Sequence, residues 1–371
     1  MRASRISLTA AVAVTAVMLV PVSARAQAPT LAKVTVVASG LNSPRGLAFG
    51  PGGALYVAEG GKGGTKSTTG QCTQVVPPIG PYTGGFTASI SKISRNGTRT
   101  AVASGLPSSQ TSPPMSFASG VADVAFQPGG KLFALIAGAG CSHGLKGTSN
   151  EIVRVHENGS VTAVANLSAF LAAHPIANPD KADFEPEGTW YSFVTAGRGF
   201  YAVEPNHQEL DKISASGHVS RVIDFSRFFP GNTDWRGPTA MTSRGGSLYI
   251  GTLTPFPVKG GAAEVFRVNP RNGRFSVFAS DLSTVLGLAF SKDGALYVLE
   301  MSVKNGGPAP ATGAVVRIKD SHRTLIARGL NFPTGMAFGP DGNLYVSVNG
   351  LGAPPGAGEV AKIAVSTDHQ G

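Results

Sequence analysis

The sequence has few charged residues, few helix-favouring runs and no cluster of basic side chains. Only 14% of its 371 residues are Lys, Arg, Asp or Glu, and 49 are glycine, a composition that favours an all-β chain over a helical one. The net charge is +10, but the basic residues are scattered singly and would not track a phosphate backbone. Nucleic-acid binding is therefore not expected, and the charge is interpreted as promoting solubility, with some affinity for anionic substrates.

Familiar catalytic motifs are absent too. No Ser-centred nucleophile elbow, zinc-binding helix or phosphate-binding loop occurs in the sequence. This absence does not exclude an enzyme, because a site assembled from single residues of different repeats leaves no local motif. Whether the chain is an enzyme therefore stays open at this point.

Long apolar runs are missing apart from one near the N-terminus, within MRASRISLTAAVAVTAVMLVPVSARA. Basic residues precede this run and small residues follow it, and it is short for a membrane span. We therefore predict a signal peptide over residues 1–26 and a secreted or periplasmic mature protein without a membrane span. A retained membrane anchor is the alternative.

Repetition is what the sequence has in abundance. Three segments have similar sequences: GLNSPRGLAFGPGGALYVAE (Gly40–Glu59), TVLGLAFSKDGALYVLE (Thr284–Glu300) and GLNFPTGMAFGPDGNLYVSV (Gly329–Val348). Each combines an apolar strand, a Gly-rich turn and a second strand, which predicts a β-hairpin. A repeated supersecondary unit of this kind determines the architecture of the whole chain.

Aligned on the second strand, the repeat occurs six times. The copies begin at Leu55, Leu132, Phe200, Leu248, Leu296 and Leu344, and the last three intervals are 48 residues each. Further alternating strands follow each pair, so we predict a six-bladed β-propeller of four-stranded blades over residues 27–366, followed by a tail over residues 367–371. An open pair of stacked sheets, the alternative, would give no reason for six similar units.

The sixth unit ends after three strands. The segment VTVVAS (Val34–Ser39) is predicted to supply its missing outer strand, so that the N-terminal strand closes the last blade and removes two open sheet edges. Between the second and third units, Leu167–His174 is the only plausible helix.

The connections between the strands differ strongly in length. Those that join second to third strands, or one blade to the next, are long and emerge on one face of a propeller; we call it the long-loop face. Cys72 and Cys141 lie in such loops of neighbouring units. They are predicted to form a disulfide in an exported protein, with two free thiols as the alternative.

Glutamates end the second strand in alternate units. Glu59, Glu204 and Glu300 share this position, and three converging carboxylates could hold Ca²⁺ or another divalent cation. Alternatively, each accepts hydrogen bonds from nearby loop amides.

Other chemistry-bearing residues are predicted near the channel or in the long loops. As candidates for catalysis we take His143, His207 and Glu187, of which the histidines could act as general bases. For ligand binding we take the first-strand residues and loop residues Arg45, Asp123, Arg236, Thr254, Phe256 and Asn349. Solvated loop side chains or turn caps are the alternative for most of them.

The segment LYIGTLTPFPVKGGAAEVFRVNP (Leu248–Pro270), with SPRGLAFGPGGALYVAEGGKGG and FPTGMAFGPDGNLYVSVNG, resembles the ScyD/ScyE family. These are exported propeller proteins named for a cyanobacterial sunscreen-pigment gene cluster. The resemblance implies a six-bladed, NHL-like propeller with a signal peptide and no established catalytic residues. The third unit, FYAVEPNHQELDKIS (Phe200–Ser214), departs from the family pattern.

Three functions follow as expectations. The first is a monomeric binding scaffold that takes a small molecule, glycan or protein on the long-loop face. The second is a metal-dependent hydrolase or lactonase at the channel mouth, with the three strand-end glutamates and Asp123 as metal ligands. The third is a quinone-cofactor dehydrogenase, which would need a ring of basic residues such as Arg45 and Arg236.

Overall fold

The computed structural model describes residues 31–113, 115–179, 181, 184–230 and 234–365. In this part of the chain the strands form six antiparallel sheets, which confirms the predicted six-bladed β-propeller. The predicted signal peptide and C-terminal tail lie outside the described residues. Within the described ranges, no helix is long and apolar enough to span a bilayer.

The strands follow one another in the order that the repeats predict. The first is β1 (Val34–Leu41). Blade 1 contains β2 (Pro44–Phe49), β3 (Leu55–Glu59), β4 (Thr83–Ile93), β5 (Arg99–Gln110) and β6 (Ala118–Ser119). Blade 2 contains β7 (Val121–Gln127), β8 (Lys131–Ile136), β9 (Glu151–Val155) and β10 (Val161–Asn166), and helix α1 (Leu167–Ala173) follows it.

Blade 3 contains β11 (Ser192–Ala196), β12 (Gly199–Glu204), β13 (Glu209–Ile213) and β14 (Val219–Asp224). Blade 4 contains β15 (Gly237–Arg244), β16 (Ser247–Leu253), β17 (Ala263–Val268) and β18 (Phe275–Leu282). Blade 5 contains β19 (Val285–Phe290), β20 (Leu296–Glu300), β21 (Gly313–Lys319) and β22 (His322–Leu330). Blade 6 contains β23 (Gly335–Phe338), β24 (Leu344–Val348) and β25 (Gly358–Ile363). Short 3₁₀ turns span Pro51–Gly53 and Phe225–Arg227.

The sixth sheet has the strand order β1-β25-β24-β23. Strand β1 pairs antiparallel with β25, with Val34 opposite Ile363, so strands from both ends of the described chain share one sheet. The predicted helix is present as α1, and its N-cap residue Asn166 accepts a hydrogen bond from the Ala169 amide at 2.8 Å.

Blade 1 differs from the prediction, because its sheet has five strands rather than four. Strands β4 and β5 continue on the long-loop face well past the length of their counterparts, and this extension gives β6 an edge to pair with.

The repeated sequence supplies an aromatic contact between neighbouring blades. The Tyr of the second strand packs edge to face against the Phe of the following blade's first strand at four of the blade junctions, an arrangement that aromatic rings favour. The pairs and their ring-centroid distances are Tyr56–Phe126 at 4.9 Å, Tyr249–Phe290 at 4.7 Å, Tyr297–Phe338 at 5.1 Å and Tyr345–Phe49 at 4.9 Å.

Candidate functional site

A central cavity of about 150 Å³ lies where the first strands of all six blades meet. Most of its lining is Gly, Ala, Val, Leu, Met and Phe, and Asp123 is the one charged residue in the described lining. The other side chains with polar groups are Tyr191, Ser192 and Thr334. A space of this volume holds a molecule of about six non-hydrogen atoms.

Asp123 is held in place by three donors. Its Oδ2 accepts from Ser192 Oγ at 3.1 Å and from the Phe193 amide at 3.3 Å, and its Oδ1 accepts from the Val124 amide at 2.9 Å. Burial raises the pKa of Asp123 to about 7, although the three donors act in the opposite direction. The carboxyl is therefore half ionised near neutral pH, and a cationic ligand would favour the ionised form.

Gly46 leaves the room that Asp123 occupies. A Cβ at position 46 would stand 1.9 Å from Asp123 Oδ1 and 2.9 Å from its Cα. The glycine of the recurring Gly-Leu-Ala-Phe or Gly-Met-Ala-Phe sequence is thus required at position 46 by the close approach of two inner strands.

We expect Gly46→Ala to displace Asp123 and to lower the free energy of unfolding by about 1 to 3 kcal/mol, because overpacking forces backbone and side-chain shifts. Urea denaturation followed by tryptophan fluorescence measures the loss. Gly307→Ala is the control, since a Cβ at position 307 would meet nothing within 4 Å and its φ lies outside the left-handed region. Equal losses in the two variants would contradict the packing argument.

Arg45 lies behind the cavity wall. It is buried, with 7% of its surface exposed. Its Nη1 donates to the Tyr191 hydroxyl at 3.3 Å, and its Nη2 donates to the Ala118 carbonyl. Tyr191 lines both the central cavity and a second space of about 20 Å³ that Arg45 also lines. The sequence did not identify Tyr191 as a candidate. It could have been found from its position, because Tyr191 directly precedes the inner strand β11 just as Thr334 directly precedes the inner strand β23, and both residues line the cavity.

Arg236 lies away from the cavity. Its Nε is 3.6 Å from Glu264 Oε2, and its guanidinium lies 5.8 Å from the centre of the Phe229 ring. Since Arg45 and Arg236 do not form a basic ring, and no basic residue is in the described lining of the central cavity, the cavity does not fit a quinone cofactor.

The remaining ligand-binding candidates are spread over the long-loop face. Thr254 is buried within the blade 4 loop, whereas the side chain of Phe256 is 55% exposed. The same loop is bridged to blade 5 through paired backbone bonds between Val258 and Gly306. Asn349 donates to a backbone carbonyl of its own loop at 3.1 Å. The structure does not bring these residues together with Asp123.

The three strand-end glutamates share a structural arrangement. Each is buried and ends the second strand of its blade. In each case one carboxylate oxygen accepts a hydrogen bond, at 2.7 Å, from a backbone amide in the segment that leads into the same blade. The pairs are Asn42 with Glu59, Thr189 with Glu204 and Ser283 with Glu300. A cationic side chain pairs with each carboxylate: Arg99 at 2.8 Å, His207 at 3.0 Å and Arg323 at 3.1 Å.

These contacts occupy the oxygens that a cation would need. In the described part of the chain, no group of three His, Cys, Asp or Glu residues is placed to hold a metal ion. The three glutamates therefore do not fit a shared calcium site, which requires six to eight converging oxygens. Their spacing reflects the same local bond repeated in alternate blades.

His143 lies in a buried polar network. Its Nε2 is 3.2 Å from the Gly188 carbonyl and 3.5 Å from Glu185 Oε2, and its Nδ1 is 2.9 Å from Ser109 Oγ. Because the Gly188 carbonyl can only accept, Nε2 carries the proton and Nδ1 accepts from Ser109. Burial lowers the pKa of His143 to about 4, so the ring is neutral. Ser109 and His143 are both 0% exposed, so this network joins blades 1 to 3 and offers no surface to a substrate.

The other two catalytic candidates also make buried contacts. His207 is 3% exposed and pairs with Glu204. Glu187 accepts from the amides of Cys141 at 2.8 Å and Ser142 at 3.2 Å. Glu187 thereby fastens the blade 2 loop to the segment that leads into blade 3.

The predicted disulfide between Cys72 and Cys141 is confirmed, with the two Cα atoms 6.3 Å apart. It links the long loops of blades 1 and 2. A disulfide of this kind is typical of an oxidising compartment outside the cytoplasm.

No protein-family model matches the chain, and no curated protein matches it. Several solved structures share its fold. A putative oxidoreductase (glucose dehydrogenase) from Thermus thermophilus is 16% identical, with a TM-score of 0.53 over 90% of this chain and 100% of that chain. A protein of unknown function from Bacteroides thetaiotaomicron is 10% identical, with a TM-score of 0.56 over 90% of this chain and 76% of that chain. A further glucose dehydrogenase is 14% identical, with a TM-score of 0.52 over 90% of this chain and 100% of that chain.

At such low identity these similarities establish the fold and carry no activity to this chain. The resemblance to the ScyD/ScyE family stays a prediction. What the comparisons and the described sheets together show is that the chain is similar to known β-propeller proteins.

Proposed function

We propose that this chain is an exported, ScyD/ScyE-like β-propeller that binds a small polar ligand in the central cavity, reached from the long-loop face. The observation that carries the proposal is the Asp123 carboxyl, the one charged group in the described lining of a space to which all six blades contribute. Function in propellers of this kind resides in loops and channel residues on a rigid scaffold.

The residues that line the cavity limit the chemical class of ligand that it would bind. Asp123 is already satisfied by Ser192 and two backbone amides on its protein side, and its accessible part faces the cavity. A carboxylate in such a setting favours a partner that donates hydrogen bonds and carries positive charge, such as a primary ammonium group. The volume of about 150 Å³ admits a small molecule or the end of a larger one.

Calorimetric titration with ethylamine at pH 8 tests the proposal. For a ligand of three non-hydrogen atoms we expect a Kd of about 1 mM, near the efficiency limit for very small ligands. Asp123→Asn should remove the binding, whereas Glu157→Gln, which removes an exposed carboxylate on the opposite face, should retain it. Because protonation of Asp123 competes with the cation, the affinity should be about tenfold weaker at pH 6 than at pH 8.

Two results would overturn the proposal. One is the absence of ethylamine binding to the wild-type protein at tens of millimolar. The other is binding that survives in Asp123→Asn but is lost in Phe256→Ala, which would place the site on the blade 4 loop.

A further inference from the structure

A buried arginine stands beside the central cavity without a carboxylate to neutralise it. The Arg45 guanidinium donates to Tyr191 and to the Ala118 carbonyl, and none of the ion pairs among the described residues includes it. A buried cation without a counter-charge is unfavourable. The Arg45 guanidinium therefore places a positive charge without an ion-pair partner beside the cavity wall.

Tyr191 contacts this guanidinium and also lines the central cavity. Its hydroxyl oxygen accepts from Arg45 Nη1 at 3.3 Å, which leaves the hydroxyl hydrogen for a different acceptor. Burial raises the pKa of Tyr191, so the hydroxyl stays protonated at neutral pH. Tyr191 lines both the central cavity and the smaller space beside Arg45, so a cavity ligand that reaches its hydroxyl would meet a donor strengthened by the guanidinium.

Asp123 provides the opposite charge in the same space. Gly46, the residue after Arg45, packs directly against the Asp123 side chain, yet none of the ion pairs among the described residues joins Arg45 to Asp123. Tyr191 and Ser192, neighbours in sequence, stand at the positive side and beside Asp123 respectively. The wall of the central cavity thus includes a carboxyl group and a tyrosine that contacts the Arg45 guanidinium.

We infer that the preferred ligand is a small zwitterion, of the class of short α-amino acids. Its ammonium group would be bound by the Asp123 carboxylate, and its carboxylate would accept from the Tyr191 hydroxyl with Arg45 behind. This inference rests on the proposed function, because it names the ligand class of the same cavity. The space holds about six non-hydrogen atoms, which is the size of alanine.

The test compares alanine with the two molecules that each retain one of its charged groups, ethylamine and propionate, by calorimetry at pH 8. Ethylamine has only the positive group of alanine, and propionate has only the negative group. We expect alanine to bind at least tenfold more tightly than ethylamine, and propionate to be the weakest. Arg45→Gln and Tyr191→Phe should each bring the alanine-to-ethylamine affinity ratio close to one.

Two variants guard against misfolding as an explanation. Tyr191→Phe keeps the ring and its packing, so it tests the hydroxyl even if Arg45→Gln is unstable. Lys62→Gln removes an exposed cation from the blade 1 long loop and should keep the wild-type ratio.

The outcomes separate the two proposals. If ethylamine binds through Asp123 but alanine binds no more tightly, the zwitterion inference fails and the proposed function stands. If none of the three ligands binds, the proposed function fails as well. A ratio that stays high in both Arg45→Gln and Tyr191→Phe would also overturn the inference, because the preference would then have another origin.

Discussion

Glu204→Ala is expected to lower the free energy of unfolding by about 3 to 5 kcal/mol at pH 6, because it removes one partner of a buried ion pair. Glu204 is 0% exposed and binds the Thr189 amide at 2.7 Å. Burial by itself would raise its pKa, but the His207 imidazolium and the two backbone amides outweigh burial and lower it. Removal of the Glu204 carboxylate leaves the His207 ring and the backbone amides of Thr189 and His207 buried without this acceptor.

The size of this loss should depend on pH. Burial alone would lower the pKa of His207, but Glu204 raises it above its ordinary 6.5. The stabilisation by the pair is therefore fully present below pH 6.5 and declines as the pH rises through the raised value. Urea denaturation at pH 6 and pH 9 measures the difference, which should be smaller at pH 9.

A half-buried carboxylate gives the matched control. Glu264 pairs with Arg236 at 3.6 Å, and its side chain is 24% exposed, so Glu264→Ala should cost no more than about 1 kcal/mol. Excess Ca²⁺ or EDTA should leave the wild-type unfolding curve unchanged. A curve lowered by EDTA would reinstate the strand-end glutamates as metal ligands, and a loss below about 1 kcal/mol in Glu204→Ala would contradict the structural role.

Replacement of both Cys72 and Cys141 by Ser is expected to lower the free energy of unfolding by about 2 to 4 kcal/mol. The two residues are 69 positions apart in the sequence, so the bond closes a long loop in the unfolded chain and restricts it strongly. The loss should appear as a lower urea midpoint in the double variant. Wild-type protein denatured in the presence of a reductant should give the same midpoint.

The disulfide also supports the candidate site. Cys141 is fastened to Glu187 by a 2.8 Å hydrogen bond, and Glu187 precedes the segment that ends at Tyr191. We therefore expect the double variant to bind ethylamine more weakly than the wild type even where it is fully folded. Equal unfolding midpoints for the reduced and oxidised proteins would contradict the stabilising role of the bond.

The architecture could be predicted because its determinants are local. Each hairpin is specified by a few consecutive residues, and the Leu-Tyr-Val and Ala-Phe-Gly wording supplies both partners of the Tyr–Phe contact between blades. The extra strand of blade 1 could not be predicted, because it depends on how far β4 and β5 extend on the long-loop face, and no turn signal marks that length.

The site was only partly predictable, because each blade contributes separate residues to the channel. Asp123 was visible as a carboxylate in an apolar strand. Arg45 and Arg236 looked equivalent in the sequence, yet only Arg45 lies beside the cavity, since Glu264 holds Arg236 elsewhere. The spacing of the strand-end glutamates was real, but its cause is a repeated hydrogen bond to the backbone rather than a shared ligand.

The pairing of β1 with β25 has a consequence for synthesis. A chain made from its N-terminus produces Val34–Leu41 first, but the partner of that strand is the last described one to be made. Strand β1 therefore has no pairing partner until β25, near the C-terminal end of the described chain, has been synthesised. Truncation anywhere before β25 would leave this strand as an unpaired edge, so incomplete chains of this protein should be prone to associate with one another.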